Sequence, residues 1–263
     1  MALPLLTIAA WASVALSYGI PAHPFLSAQT VRRLTAFLGD MLSRGAAGSP
    51  AFTDAGEWAR TSVIALDTLA MSVLAMGIAV ALALALLPLA ARTLTHRASG
   101  GPARWFIFVL ARAVLVVLRA VPELVWALVA VFVFAPGIVP GVIALGLHNG
   151  GVLGKIGAEL AEDADQGPVR ALRTAGAGRA QVVAYAIVPS LLPRLLTFAL
   201  YRWEVAVRAS VVVGLVGAGG LGLELRLAMS RFDMTHVALV LAWYLLLVAG
   251  VDALTGVLRR LAR

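Results

Sequence analysis

Between Thr68 and Ala91 the chain carries no charged side chain. A bilayer core offers the backbone no water, so an apolar run of about 20 residues must satisfy its own hydrogen bonds as a helix. Several such runs recur along the 263 residues. Hydrophobic residues make up 61% of the sequence and charged residues 13%, which leaves too little polar surface for a soluble domain of this length. The fold class is therefore an all-α polytopic membrane protein, and a large soluble core is the weaker reading.

Six spans are expected. The first covers residues 2–20; it lacks a basic leading segment and a clear small-residue cleavage site, so an uncleaved span is expected rather than a signal peptide. Residues 21–60 are mixed. Val31, Leu34, Leu38, Met41 and Leu42 share one helical face there, as in an interfacial helix or one packed on neighbouring loops. The second span covers 62–91. An elbow at 105–119 leads into a third at 113–134, with Pro122 near its start. The fourth covers 142–160, the fifth 195–217 and the sixth 237–251.

Charge sets the expected orientation. On one side fall Arg92, Arg97, Arg104, Arg112, Arg119, Lys155, Arg170, Arg173, Arg179, Arg194, Arg259, Arg260 and Arg263. On the other fall Arg32, Arg33, Arg44, Arg60, Arg226 and Arg231. The richer side is expected to be cytoplasmic, with both termini inside and the chain in the plasma (inner) membrane. The net charge of +8 is thereby explained by topology, and no nucleic acid is implied.

A hydrophilic stretch at 159–179 interrupts the membrane pattern. It leads through GPVRALRTAGAGRAQVVAYAIVPSLLP, residues 167–193. A short helix should end at the glycines near Gly176, where a backbone turn is cheap. A second should follow and break at Pro189. The product is a compact two-helix knob, or in the plainer reading an ordinary loop with helical content. The segment resembles the cytoplasmic coupling loop of ABC-importer permeases. Ala171, Gly176 and Pro189 match that family's spacing, whereas Arg170 replaces its usual glutamate. The resemblance marks Arg170, Ala171, Gly176, Ala177 and Pro189 within a loop at about 159–193 as the contact for an ATPase.

Further stretches are similar to permeases of phosphonate importers: RAVPELVWAL at 119–128, GLHNGGVLGK at 146–155, YRWEVAVRASVVVGLVGAGGLG at 201–222 and RFDMTHVA at 231–238. Ala206 and Val211 depart from the asparagine and threonine expected there. The resemblance implies a type I ABC importer permease with a core at 61–263, preceded by an N-terminal span and external segment at 1–60. It also implies a second permease copy, two ATPase subunits that bind ATP, an external substrate-binding protein and surrounding lipid. The cargo is a phosphonate or a related small phosphorus oxyanion; phosphite, phosphate or an amino acid are alternatives on the same machine. A membrane enzyme or a scaffold without transport are remoter readings.

Ionisable residues inside membrane segments mark pathways or buried pairs. Arg202, Glu204 and Arg208 lie in the fifth span, Glu123 in the third, and His148 with Asn149 in the fourth. Glu204 and Arg208 are four residues apart and are expected to pair. Arg202 stands about 160° from Glu204, so it is the better candidate to meet an anion, with Glu123 as a possible partner. His148 and Asn149 are the weaker pathway candidates, since a lone histidine there more often makes an interhelical hydrogen bond. Gly217, Gly219, Gly220 and Gly222 form a small-residue segment near a gate.

No catalytic residue, cofactor site or metal site is expected in this chain. The chain has no cysteine, and His23, His96, His148 and His236 show no ligand spacing. Lys155 follows Gly154, but Asn149 and Ile156 break the Walker pattern around it, so ATP hydrolysis is expected in a separate subunit.

Overall fold

The computed structural model describes residues 2–17, 27–42, 50–92 and 101–261. His23, Arg44, His96, Arg97, Arg263 and the end of the expected first span lie outside them. The described chain is helical throughout. Helix α1 is Ala2–Ser17 and α2 is Ala28–Leu42. After a short turn come α3 (Ala55–Ala90), α4 (Pro102–Ala120), α5 (Glu123–Phe134) and α6 (Ile138–Asp163). Then follow α7 (Gln166–Thr174), α8 (Arg179–Val182), α9 (Val188–Val213), α10 (Gly220–Ser230) and α11 (Met234–Leu261).

Among the described residues, three helical stretches are long and apolar enough to cross a membrane: Ala55–Ala90, Val183–Ala218 and Met234–Arg260. The α4–α5 pair adds a fourth if a helix broken by 92° counts as one span. The other two expected spans fall on α1, which has 16 residues, and on α6, whose apolar run is diluted by glycines, His148 and Asn149. α2 is amphipathic and rests against α11 without burying a side chain.

α3 starts on Asp54, whose carboxylate accepts from the Gly56 amide at 2.7 Å. Its Ala65, Thr68, Ser72, Ala75, Ala79 and Ala83 form a stripe of small buried residues. α6 answers with glycines: a Cβ on Gly150 would lie 2.9 Å from Leu82, and one on Gly154 would lie 2.5 Å from Leu115. Lipid tails are as apolar as side chains, so close backbone approach and dispersion hold such helices together. α6 is thereby the central post, wedged between α3, α4 and α5.

The third span departs from its expected form. Val121 is extended (φ −78°, ψ 121°) because Pro122 disfavours a helical predecessor. The break frees carbonyls that need donors in a membrane. The Trp126 indole donates to Leu118 O at 3.2 Å, and His148 Nδ1 meets Val121 O at 3.1 Å.

The predicted break at Pro189 is also corrected. Residues 183–218 form one long helix, and Pro189 sits in the first turn of α9 directly after a wide π turn, Val183–Ile187. The wider π turn relieves the clash of the proline ring with the preceding turn, so the helix runs on through Pro189. At the other end a second π turn, Gly214–Ala218, ends at Gly217 (φ 107°) and Gly219 (φ 79°), and the chain folds back into α10. A Cβ on Gly222 would lie 2.0 Å from Val211 O, so only glycine permits that return. The Leu221 amide then donates to Thr68 Oγ1 at 2.8 Å, locking the return onto α3.

Candidate functional site: an intramembrane polar cluster and a helix-turn-helix segment

Four of the residues singled out in the sequence come together. Asn149 is 2% exposed on α6 and offers its side-chain oxygen to Arg202 Nε of α9 at 2.8 Å. Its own amide nitrogen is held by Leu145 O at 2.8 Å. The adjacent His148 has Nε2 at 3.5 Å from Glu123 Oε2, at the start of α5. All three charged or titratable groups are half-buried. Among the described residues neither terminal nitrogen of Arg202 has an acceptor, so the guanidinium is oriented by Asn149 yet keeps its fork open.

Glu204 and Arg208 do not join this cluster and do not pair with each other. Both project toward α11, which supplies separate partners. Glu204 is 7% exposed and accepts from Arg259 Nη2 at 2.6 Å and from Thr255 Oγ1. Arg208 Nη2 donates to both carboxylate oxygens of Asp252. Asp252, Thr255 and Arg259 follow one face of α11, matching Glu204 and Arg208 as an antiparallel zipper. The sequence pattern ends the sixth span at Val251, whereas α11 runs on to Leu261 and carries Asp252, Thr255 and Arg259 past α9.

A third cluster was not foreseen. Buried His236 at the start of α11 has Nε2 2.9 Å from Glu224 Oε1 and Nδ1 3.6 Å from Glu57 Oε2. Arg60 and Arg231 face Glu224 at 3.6 and 3.5 Å. It ties α3, α10 and α11 at one end of the bundle. The only sequence signal was a histidine and an acid twelve residues apart on either side of a turn.

At the opposite end α7 and α8 form the expected helix-turn-helix. Asp165 caps α7 through the Gly167 amide at 2.9 Å. Gly176 has φ 80°; its amide donates to Arg173 O and the Ala177 amide to Leu172 O, both at 3.0 Å, which is a Schellman stop. Val169, Val182, Ala186 and Ile187 pack on Leu87, Ala90, Ala111, Leu115, Ala158 and Ala161. The segment is thus seated on the bundle rather than projecting freely. Arg170, Ala171, Gly176 and Pro189 stay exposed and Ala177 is half-buried. At its root Arg112 bridges Glu162 at 2.5 Å and the Ala90 carbonyl at 3.0 Å.

A helical bundle with several membrane-crossing helices, a helix-turn-helix seated at one end and an arginine oriented inside it is the architecture of a multi-pass membrane protein. Residues 102–263 match the family described as "Binding-protein-dependent transport system inner membrane component". The phosphite transport system permease protein PtxC of Stutzerimonas stutzeri is 42% identical over 217 residues, 82% of this chain and 75% of that protein. The phosphate-import permease protein PhnE of Mycolicibacterium smegmatis is 36% identical over 203 residues, covering 77% of this chain and 37% of that protein. Among solved structures, the inward-facing MetNI methionine ABC transporter (CY5 native crystal form) superposes with a TM-score of 0.64 at 21% identity, covering 77% of this chain and 96% of that one. This chain belongs to the binding-protein-dependent transport system inner membrane components; it is a permease of the ABC importer type.

Proposed function

We propose that this permease carries a small phosphorus oxyanion, a phosphite or phosphonate, into the cell. The observation that carries the reading is Arg202. An arginine within a membrane helix is costly, and this one is positioned by Asn149 with its donor fork left open. A tetrahedral oxyanion is the chemistry such a fork accepts. The phosphite and phosphate named for the relatives agree with it.

Around that centre the remaining parts take their places as proposals. Glu123, His148 and Asn149 line the pathway with Arg202. Gly217, Gly219, Gly220 and Gly222 shape a gate. The α7–α8 segment receives an ATPase through Arg170, Ala171, Gly176 and Ala177, with Pro189 at the base. Two copies of the chain pair with two ATPases, which bind the ATP, and with an external binding protein. Both termini face the cytoplasm. Residues 1–60 form an N-terminal unit ahead of the core at 61–263.

Growth tests the cargo. A host lacking its own uptake systems, given the complete transporter with and without this gene, should grow on phosphite or a phosphonate as sole phosphorus source only when the gene is present. Equal growth in both strains rejects the cargo assignment.

A further inference from the structure

Between α3, α4 and α6 lies a cavity of about 60 Å³, lined by Ala90, Arg112, Leu115, Arg119, Lys155 and Glu159 among others. Three of its lining side chains are cationic. Arg112 is spent on Glu162, and Lys155 on Glu159 at 2.6 Å. Arg119 is exposed and, among the described residues, makes no ion pair. Its place is set by packing: a Cβ on Gly151 would lie 2.7 Å from the Arg119 backbone nitrogen, so α4 and α6 touch at that point. Three cations against two carboxylates leave one positive charge beside the cavity.

The surroundings say what that charge meets. Lys155, Glu159 and Glu162 mark where α6 leaves its apolar run, the level of a membrane interface. Val116 on the cavity wall is 48% exposed, and Val109 and Val117 extend the same helix's apolar surface at 40% and 54%. A pocket of this volume holds a single tetrahedral group rather than a whole lipid, with apolar wall continuing outward from it. We propose that it seats the phosphate of an anionic phospholipid, with acyl chains along exposed α4. A free oxyanion shares the phosphate chemistry but would not use that apolar wall.

The pocket also bears on coupling. Leu115 and Ala158, which line it, belong to the cluster on which Val169 and Val182 of the α7–α8 segment pack. A filled pocket braces the seat of that segment. This consequence rests on the proposed ATPase contact, whereas lipid binding does not.

The test uses the complete transporter in nanodiscs of phosphatidylcholine with or without phosphatidylglycerol. Lipid retention is read by native mass spectrometry and ATP hydrolysis is read in parallel. The wild type should retain phosphatidylglycerol. Arg119→Gln should lower that retention about fivefold, the effect of one interfacial basic residue, and remove any stimulation of hydrolysis by phosphatidylglycerol. Arg119→Lys should keep both. Equal retention in wild type and Arg119→Gln overturns the proposal. So does displacement of the lipid by millimolar phosphite, which would assign the pocket to a free oxyanion. Retention that depends on Arg119 without any lipid stimulation of hydrolysis would count against the coupling consequence alone, since retention decides the lipid.

Discussion

Arg208 and Asp252 face each other across α9 and α11, with one guanidinium nitrogen 2.8 and 3.0 Å from the two carboxylate oxygens. One turn along, Glu204 takes Arg259 and Thr255 instead of its helical neighbour Arg208. The two contacts make α11 a structural partner of α9 and leave Arg202, on another side of α9, to the polar cluster.

Glu204→Gln should therefore strand Arg259, not Arg208. Losing a charged partner at a site this buried costs roughly 1–3 kcal/mol. Folded yield in detergent should fall, and the double variant Glu204→Gln with Arg259→Leu should recover part of it. Normal yield from the single variant would show that the pair is idle.

Arg202→Gln keeps most of the side-chain volume and removes the charge. Uptake of phosphite should drop at least tenfold, while yield and assembly stay near wild type, because among the described residues Arg202 makes one side-chain hydrogen bond, to Asn149, and a glutamine amide can still donate there. Unchanged uptake in this variant would remove Arg202 from the pathway.

Gly176→Leu places a branched side chain at φ 80°, where L residues cost about 1–2 kcal/mol. The turn between α7 and α8 should distort on the exposed side. Stimulated ATP hydrolysis by the assembled complex should fall several-fold with membrane insertion intact; full stimulation would show that this face does not carry the coupling contact.

Glu224→Gln removes the negative charge shared by His236, Arg60 and Arg231. The thermal midpoint of the purified permease should fall by several degrees. Glu57→Gln should do less, since Glu57 is only partly buried and its ion-pair contacts are 3.6 Å or longer.

The chain has no cysteine, so a single Asp165→Cys substitution reports orientation cleanly. A membrane-impermeant thiol reagent should leave it unlabelled in intact cells and label it in inverted vesicles. Labelling from outside would invert the proposed topology.

Local physics made much of this molecule legible beforehand. The charge-free run of α3 and the stop at Gly176 each depend on residues within a turn or two of one another. Hydropathy and backbone preference report such features directly. The expected span across Pro122 and the expected break at Pro189 both differ from the structure. A proline's effect depends on whether the preceding turn is extended, as at Val121, or widened into a π turn, as before Pro189. The charged residues of the fifth span lay further beyond reach. Spacing of four made Glu204 and Arg208 look like a pair, yet α11 offered each a partner more than forty residues away. Asn149 reached Arg202 across 53 residues, and His236 reached Glu57 from the far end of the chain. The sequence by itself determined that the chain would be a bundle of membrane helices with an interrupted hydrophilic segment, because burial of apolar runs and backbone self-satisfaction allow nothing else. Which charge met which was decided only by tertiary packing, because an ion pair needs two side chains within a few ångströms, and helix adjacency is set by the glycine and alanine faces that let α3, α6 and α9 approach.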